Sequence, residues 1–246
     1  MLTEEEFERK VKDVVRLALC SELRRTPMRR EDILKKVLVN HPKAYNQVMA
    51  AADTRLRDVF GMTIAELPTK ERRNVIGSTA ARRAAANKDR PTTTYVKSYM
   101  LKNVIPQEHR RSELINWRND EPAMGLLMVI LSLILVNGRV LTDDQLNHYF
   151  RRLYLTENHH EVFDNIGEVV NTFVKQGYLD KVKLASADTS RSSDKDHYEY
   201  YCGPRAKVEI KESNMIGFIQ RIFGDVSLEK LSKQIERASG TEIRDE

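Results

Sequence analysis

Residues Tyr45 to Leu67 read YNQVMAAADTRLRDVFGMTIAEL. Tyr45, Val48, Ala52, Leu56, Val59 and Phe60 recur mostly at spacings of three and four, the period of one buried helical face. Gly61 follows at once, where the chain leaves a helix through a left-handed conformation that suits a residue without a Cβ. Met62 to Leu67 then reads as a strand. A helix closed by glycine and running directly into a strand is the centre of a helix-rich module with a small hairpin, and the flanks decide which one.

Upstream, Thr3 and Glu6 have the spacing of a capping box, in which hydroxyl and carboxylate satisfy each other's backbone N–H groups. Phe7, Val11, Val14, Val15, Ala18 and Leu19 continue at helical spacing to about residue 24. Thr26-Pro27 breaks the chain, and Glu31 to Leu38 forms a short helix with Ile33, Leu34, Val37 and Leu38 inward. His41-Pro42 breaks it again before the quoted helix. Downstream, Thr93 to Leu101 alternates enough to pair with Met62 to Leu67. Three helices and a hairpin in that order make a winged helix, with residues 68–92 as an unusually long wing.

The pattern then restarts. Residues 103–122 are polar, hold Pro106, Trp117 and Pro122, and read as a linker. Met124 to Val136 is apolar on every side and is expected to be buried on all faces. Thr142 and Gln145 make a second capping box, opening a helix with Leu146, Tyr149, Phe150 and Leu153. Phe163, Ile166, Val169, Val170, Phe173 and Val174 mark a third helix, ended by Gly177. Tyr178 to Ala185 and His197 to Cys202 read as strands around a polar turn. Two further helices, Ser213 to Phe223 and Ser227 to Ala238, follow, the second with Leu228, Leu231 and Ile235 on one face. The expected fold is mainly α with small β-hairpins: tandem winged helices, one over 1–102, a linker over 103–122, and one over 123–240.

Charge narrows the function. The chain carries 41 Lys and Arg against 36 Asp and Glu, a net +5. Lys70, Arg72, Arg73, Arg82, Arg83, Lys88 and Arg90, opposed by Glu71 and Asp89, account for the whole excess; the other residues hold 34 of each sign. The chain is balanced except for one basic segment inside the first wing. The thirteen apolar residues from Met124 are fewer than the roughly 20 a membrane helix needs, and the acidic N-terminus lacks an apolar signal core. Cys20 and Cys202 stand far apart with no CxxC or Cys/His grouping, which fits a reducing compartment and neither zinc nor a disulfide framework. His159-His160 has no third ligand at metal spacing. Gly77-Ser78 has no nucleophile-elbow context, and no phosphate loop or dinucleotide motif is present. These absences point to a non-catalytic protein without cofactor or metal.

From Gly125 onward the sequence resembles the MAGE homology domain. The resemblance rests on Gly125-Leu126-Leu127, Ile134-Leu135-Val136-Asn137-Gly138, Gly177-Tyr178-Leu179, and Tyr198-Glu199-Tyr200 running into Gly203-Pro204-Arg205-Ala206. Arg25 to Leu34 and Val59-Phe60-Gly61-Met62 fit the same family, so the likeness spans roughly residues 4 to 212. It is nearest to members that serve an SMC-type genome-maintenance complex. The resemblance implies two winged helices, a RING-type ubiquitin-ligase partner, a kleisin-type partner, contact with double-stranded DNA, indirect association with SMC ATPases, and a nuclear, chromatin-associated location. It implies a RING-facing surface on the first helix at Val15, Ala18, Leu19 and Cys20, where the dileucine of some relatives is not intact. It implies a kleisin surface on the second module at Leu126, Leu127, Ile130, Ile134, Val170 and Phe173.

For DNA, a helix-turn-helix reader presents cations or amides from its third helix to base edges. Here that helix carries Asp164 and Glu168 against Lys175 in the second module, and Arg55 and Arg57 diluted by Asp53 and Asp58 in the first. Sequence-specific readout is therefore disfavoured, and with it a transcriptional regulator. Backbone contact needs only cations near phosphates. The candidates are Lys70, Arg72, Arg73, Arg82, Arg83, Lys88 and Arg90 in the wing, with Arg151, Arg152, Lys175, Lys181 and Lys183 in the second module. The alternative is an adaptor that brings substrates to a RING ligase and ignores DNA.

Overall fold

The computed structural model describes residues 3–68, 97–109, 121–155, 162–184, 197–224 and 228–239, and these fall into two compact units, one ending within the expected linker and one beyond it.

In the first unit α1 (Glu4–Leu23) opens on the expected capping box: Thr3 Oγ1 accepts from the Glu6 N–H at 3.3 Å and the Glu6 carboxylate accepts from the Thr3 N–H at 3.0 Å. A two-residue strand β1 (Met28–Arg29), α2 (Arg30–Lys36), a short 3₁₀ turn (Pro42–Ala44), α3 (Tyr45–Phe60), β2 (Met62–Glu66) and β3 (Ser98–Asn103) follow. Gly61 ends α3 with φ +62°, as its position requires. The sheet order is β1-β3-β2, all antiparallel. Val11, Val14 and Ala18 of α1 meet Ile33, Leu38, Val48, Ala52 and Leu56, with Tyr99 and Leu101 closing the core from the sheet.

The second unit repeats the plan with α4 (Glu121–Val136), β4 (Leu141–Thr142), α5 (Asp143–Arg152), α6 (Ile166–Gln176), β5 (Leu179–Lys183) and β6 (Tyr198–Cys202), and sheet order β4-β6-β5. Three helices are appended: α7 (Pro204–Glu209), α8 (Glu212–Phe223) and α9 (Leu228–Ser239). Thr142 and Gln145 form the second capping box, and Gly177 closes α6 at φ +84°. In α4, Leu126, Leu127, Ile130, Leu131, Ser132, Ile134 and Leu135 are buried, while Met128, Val129 and Leu133 are half-buried and Val136 is exposed. The appended helices α8 and α9, together with β6, cover most of this apolar cylinder.

The mainly helical tandem winged-helix fold is as expected, with local differences. β1 and β4 are additions, since two residues show no alternation in a sequence. α4 starts at Glu121 rather than Met124: Pro122 sits in its first turn, where a missing N–H costs nothing. α6 begins at Ile166, capped by Asn165 whose side chain accepts from the Glu168 N–H, so Phe163 precedes the helix. β3, Ser98–Asn103, ends two residues beyond the expected Leu101, the expected start at Thr93 lying outside the described residues, and α2 stops at Lys36 although Leu38 is still buried. The string Gly203-Pro204-Arg205-Ala206 opens a helix of its own, α7. The basic segment, Trp117, Gly77-Ser78 and His159-His160 lie outside the described residues.

Candidate interaction surfaces

The third helices are the place where a base-reading winged helix would act, and the cations of α3 are already engaged. Arg55 pairs with Glu8 of α1 at 3.0 Å. Arg57 donates from Nε to Asp53 Oδ2 at 2.9 Å and from Nη2 to Thr63 Oγ1 at 2.9 Å, and Asp53 Oδ1 also accepts from the Thr63 hydroxyl and from the Ile64 N–H at 2.7 Å. These bonds pin the start of β2 to α3 and commit both guanidiniums to carboxylates. On α6 the exposed first turn carries Glu168, and Lys175 stands alone in the last turn. Base-specific readout is disfavoured by this geometry as it is by the sequence.

The expected backbone-contact residues are scattered. Lys70, Arg72, Arg73, Arg82, Arg83, Lys88 and Arg90 lie outside the described residues. Arg151 and Arg152 are exposed in the last turn of α5 and Lys175 in that of α6, where a cation also complements the helix dipole. Lys181 is half-buried, its ammonium over the Tyr198 ring at 4.0 Å and 5.4 Å from that of Tyr200. Lys183, two residues on and hence on the same strand face, is exposed. Tyr200 itself donates to Asp143 Oδ1 at 3.2 Å; burial first, then that carboxylate, hold its hydroxyl protonated well above the ordinary tyrosine range.

The expected protein-facing residues are mostly interior. Val15 and Ala18 are buried in the first core, Leu19 is half-buried, and Cys20 is exposed. Leu126, Leu127, Ile130, Ile134, Val170 and Phe173 all belong to the second core. Of the remaining apolar residues of α4, Met128 and Leu133 are half-buried against the same core, Val129 is half-buried and Val136 is exposed. Exposed apolar side chains outside the expected sites gather where Val59 and Phe60 end α3 and Val104 follows β3, the Val104 N–H donating to the Gly61 carbonyl at 2.9 Å. In the second unit Leu153 and Tyr154 stand out, Tyr154 being 86% exposed at φ +55°. Among the described residues no group of three or more His, Cys, Asp or Glu is placed to hold a metal, and no helix is long and apolar enough to cross a membrane.

Two of the strings that carried the family likeness, Gly177-Tyr178 and Gly203 to Ala206, form one interlock. Gly177 leaves α6, and Tyr178 behind it is fully buried. Gly203 donates its N–H to the Tyr178 carbonyl at 2.8 Å, and Arg205 its backbone N–H to the Gly177 carbonyl at 3.0 Å. Pro204 starts α7 in the first turn that tolerates it. The Arg205 side chain, 2% exposed, lies over the Tyr178 ring at 5.1 Å, and both it and the Tyr178 hydroxyl donate to Glu209 Oε2, at 3.0 and 2.8 Å. The string is thus a structural fastening between the end of the third helix, the hairpin and α7. The family model of the MAGE homology domain matches residues 14–213, from the middle of α1 to the start of α8 and including this fastening.

The chain belongs to the MAGE homology domain family. Among curated relatives it is similar to the mouse non-structural maintenance of chromosomes element 3 homolog, with 27% identity over 89% of this chain and 68% of the relative. The human protein of the same name is 25% identical over 89% of this chain and 62% of its own length. Non-structural maintenance of chromosome element 3 of Schizosaccharomyces pombe is 24% identical over 91% and 66%. The chain therefore spans about two thirds of the length of these relatives. A solved structure described as the Nse1-Nse3-Nse4 complex contains a chain with the same fold: TM-score 0.74, 24% identity, 96% of this chain and 99% of that one.

Proposed function

We propose that this MAGE-family chain is a non-catalytic scaffold subunit of an SMC-type genome-maintenance complex, located on nuclear chromatin. In this reading it binds a kleisin-type subunit and a RING-type ubiquitin-ligase subunit, meets the SMC ATPases indirectly, and contacts the backbone of double-stranded DNA without sequence preference. The observation that carries it is likeness over about nine tenths of the chain to relatives of mouse, human and fission yeast that share one name, that of a non-SMC chromosome-maintenance element. Two physical observations support the scaffold and backbone-contact parts. The fastening around Arg205 is built as structure rather than as a reactive site, and the arginines of α3 are committed to carboxylates. The first helix of the first unit is the proposed RING-facing element and the outward side of α4 and α6 the proposed kleisin-facing one.

The test is expression of the tagged chain in its own nucleus, followed by pull-down and mass spectrometry. Co-purification of a kleisin-type chain, a RING-type chain and SMC ATPases is expected. Recovery of a RING ligase with substrates and without kleisin or SMC chains, together with no shift of random duplex at near-physiological salt, would replace this reading by the adaptor one.

A further inference from the structure

The turn after α1, with the β1–α2 junction, carries Arg24, Arg29 and Arg30, all exposed. The positions of Arg29 and Arg30 are fixed relative to the start of β3, and Arg24 caps the end of α1. Arg29 pairs in register with Ser98 of β3, the Arg30 N–H donates to the Lys97 carbonyl at 2.9 Å, and the Leu67 N–H donates to the Ser98 carbonyl at 2.8 Å. The arginine pair is thereby bonded to the start of β3, which Leu67 at the end of β2 also meets. Met28 is buried, so strand alternation turns Arg29 outward. The Arg30 guanidinium lies over the Tyr45 ring at 4.7 Å, an approach that steadies it without cancelling its charge.

None of the three arginines forms an ion pair with a described residue. Several carboxylates on the same elements are committed: Glu66 to Lys97 at 3.1 Å, Glu31 to Lys35 at 3.6 Å, and Glu22 to the Leu101 N–H at 3.4 Å. Half-buried Asp32 offsets one of the three charges and leaves the patch positive.

The second unit supplies an internal comparison. Leu141 pairs with Tyr200 as Met28 pairs with Tyr99, so Thr142 and Asp143 stand where Arg29 and Arg30 stand. Thr142 builds a capping box, whereas Arg29 makes no side-chain cap bond. Arginine is a poorer cap than threonine, and cations at this end oppose the helix dipole. Local stability therefore does not account for the Arg29-Arg30 pair.

We infer that Arg24, Arg29 and Arg30 form a duplex-phosphate site on the first unit, working through side-chain charge. The inference rests on the reading that this chain contacts DNA, and it adds to that reading a site on the body of the module, assembled by the fold from residues that form no long basic run.

The experiment uses the full chain and a random-sequence duplex, with binding measured by fluorescence anisotropy across a salt series. The variant carrying Arg24→Ala, Arg29→Ser and Arg30→Ala should flatten the slope of log affinity against log salt by about 2.7, at about 0.9 for each phosphate no longer neutralised. The triple Arg→Lys variant, which keeps the charges, should retain the slope. Arg29→Ser alone should weaken binding while leaving the thermal midpoint equal to or above that of the wild type. Wild-type binding with an unchanged slope in the neutral variant overturns this inference and leaves the DNA reading standing. No wild-type binding overturns both. An equal loss in the lysine variant marks the effect as structural, and loss of an acidic protein partner without change in duplex binding assigns the patch to that partner; either result overturns the inference.

Discussion

Gly203→Ala should damage the second unit through steric overlap alone. Gly203 has φ −75° and ψ 169°, an extended conformation open to any residue, so alanine brings no backbone strain. Its Cβ, however, would stand 2.3 Å from the Gly177 carbonyl oxygen, 2.8 Å from the Tyr178 carbonyl carbon and 2.9 Å from that of Gly177. All three are backbone atoms, and none can rotate away. With heavy atoms preferring about 3.5 Å, relief needs a displacement of roughly 1 Å. That shift breaks the Gly203 to Tyr178 and Arg205 to Gly177 backbone bonds, of 2.8 and 3.0 Å. Two net hydrogen bonds at about 1 kcal/mol each and about 1–3 kcal/mol of overpacking give a loss of about 3–5 kcal/mol. With a urea dependence of about 2 kcal/mol per molar, the midpoint of the second unit's unfolding should fall by about 2 M. Gly125→Ala is the control: it lies in α4 with nothing within 4 Å of the added methyl, and alanine should stabilise the helix by about 0.5–1 kcal/mol. A Gly203→Ala midpoint indistinguishable from wild type, followed by circular dichroism, would refute the interlock as described.

Three further perturbations test other joints. Arg205→Met removes the buried partner of Glu209, whose side chain is 37% exposed and so still partly solvated; a loss of about 1–3 kcal/mol is expected, with partial recovery in the double variant with Glu209→Gln, and additivity of the two would show the pair to be uncoupled. Asp53→Ala strips the Ile64 N–H and Thr63 hydroxyl of their acceptor and should cost about 2–3 kcal/mol in urea unfolding, whereas a value near zero would mean water substitutes freely. Tyr154→Gly should raise stability by about 1 kcal/mol, because a left-handed residue is relieved and no burial is lost; a decrease would show the ring packing against something.

The long periodic helices and their caps were legible because each is determined locally: Thr3 with Glu6, Thr142 with Gln145, and the glycines at 61 and 177 each need only near neighbours. β1, β4 and α7 were not, since two-residue strands and a six-residue helix leave no measurable period, and β1 and β4 are defined by partners some 60 to 70 residues away. Which apolar residues of α4 reach the surface was not legible for a related reason. An all-apolar helix such as α4 announces burial but not which side is left outward, and that depends on where α8 and α9 dock. Charge was read well in sum and poorly in place. Arg55 meets Glu8 across 47 positions, and Arg29 and Arg30 reach the start of β3 only through backbone pairing.

The Gly177–Gly203 approach also acts as a gauge of strand alignment. Hairpins whose two faces are both partly covered can slip by one residue, which would exchange the inward and outward side chains of β5 and β6. In the native alignment Gly203 comes against the Gly177 carbonyl so closely that even a methyl group is excluded. A slip of one residue in either direction would bring Cys202 or Pro204 to that spot, so neither misaligned hairpin can seat α7 or bury Arg205. The same tight approach that makes the position intolerant of substitution therefore rejects misaligned alternatives, and a substitution there narrows the native alignment's advantage over them.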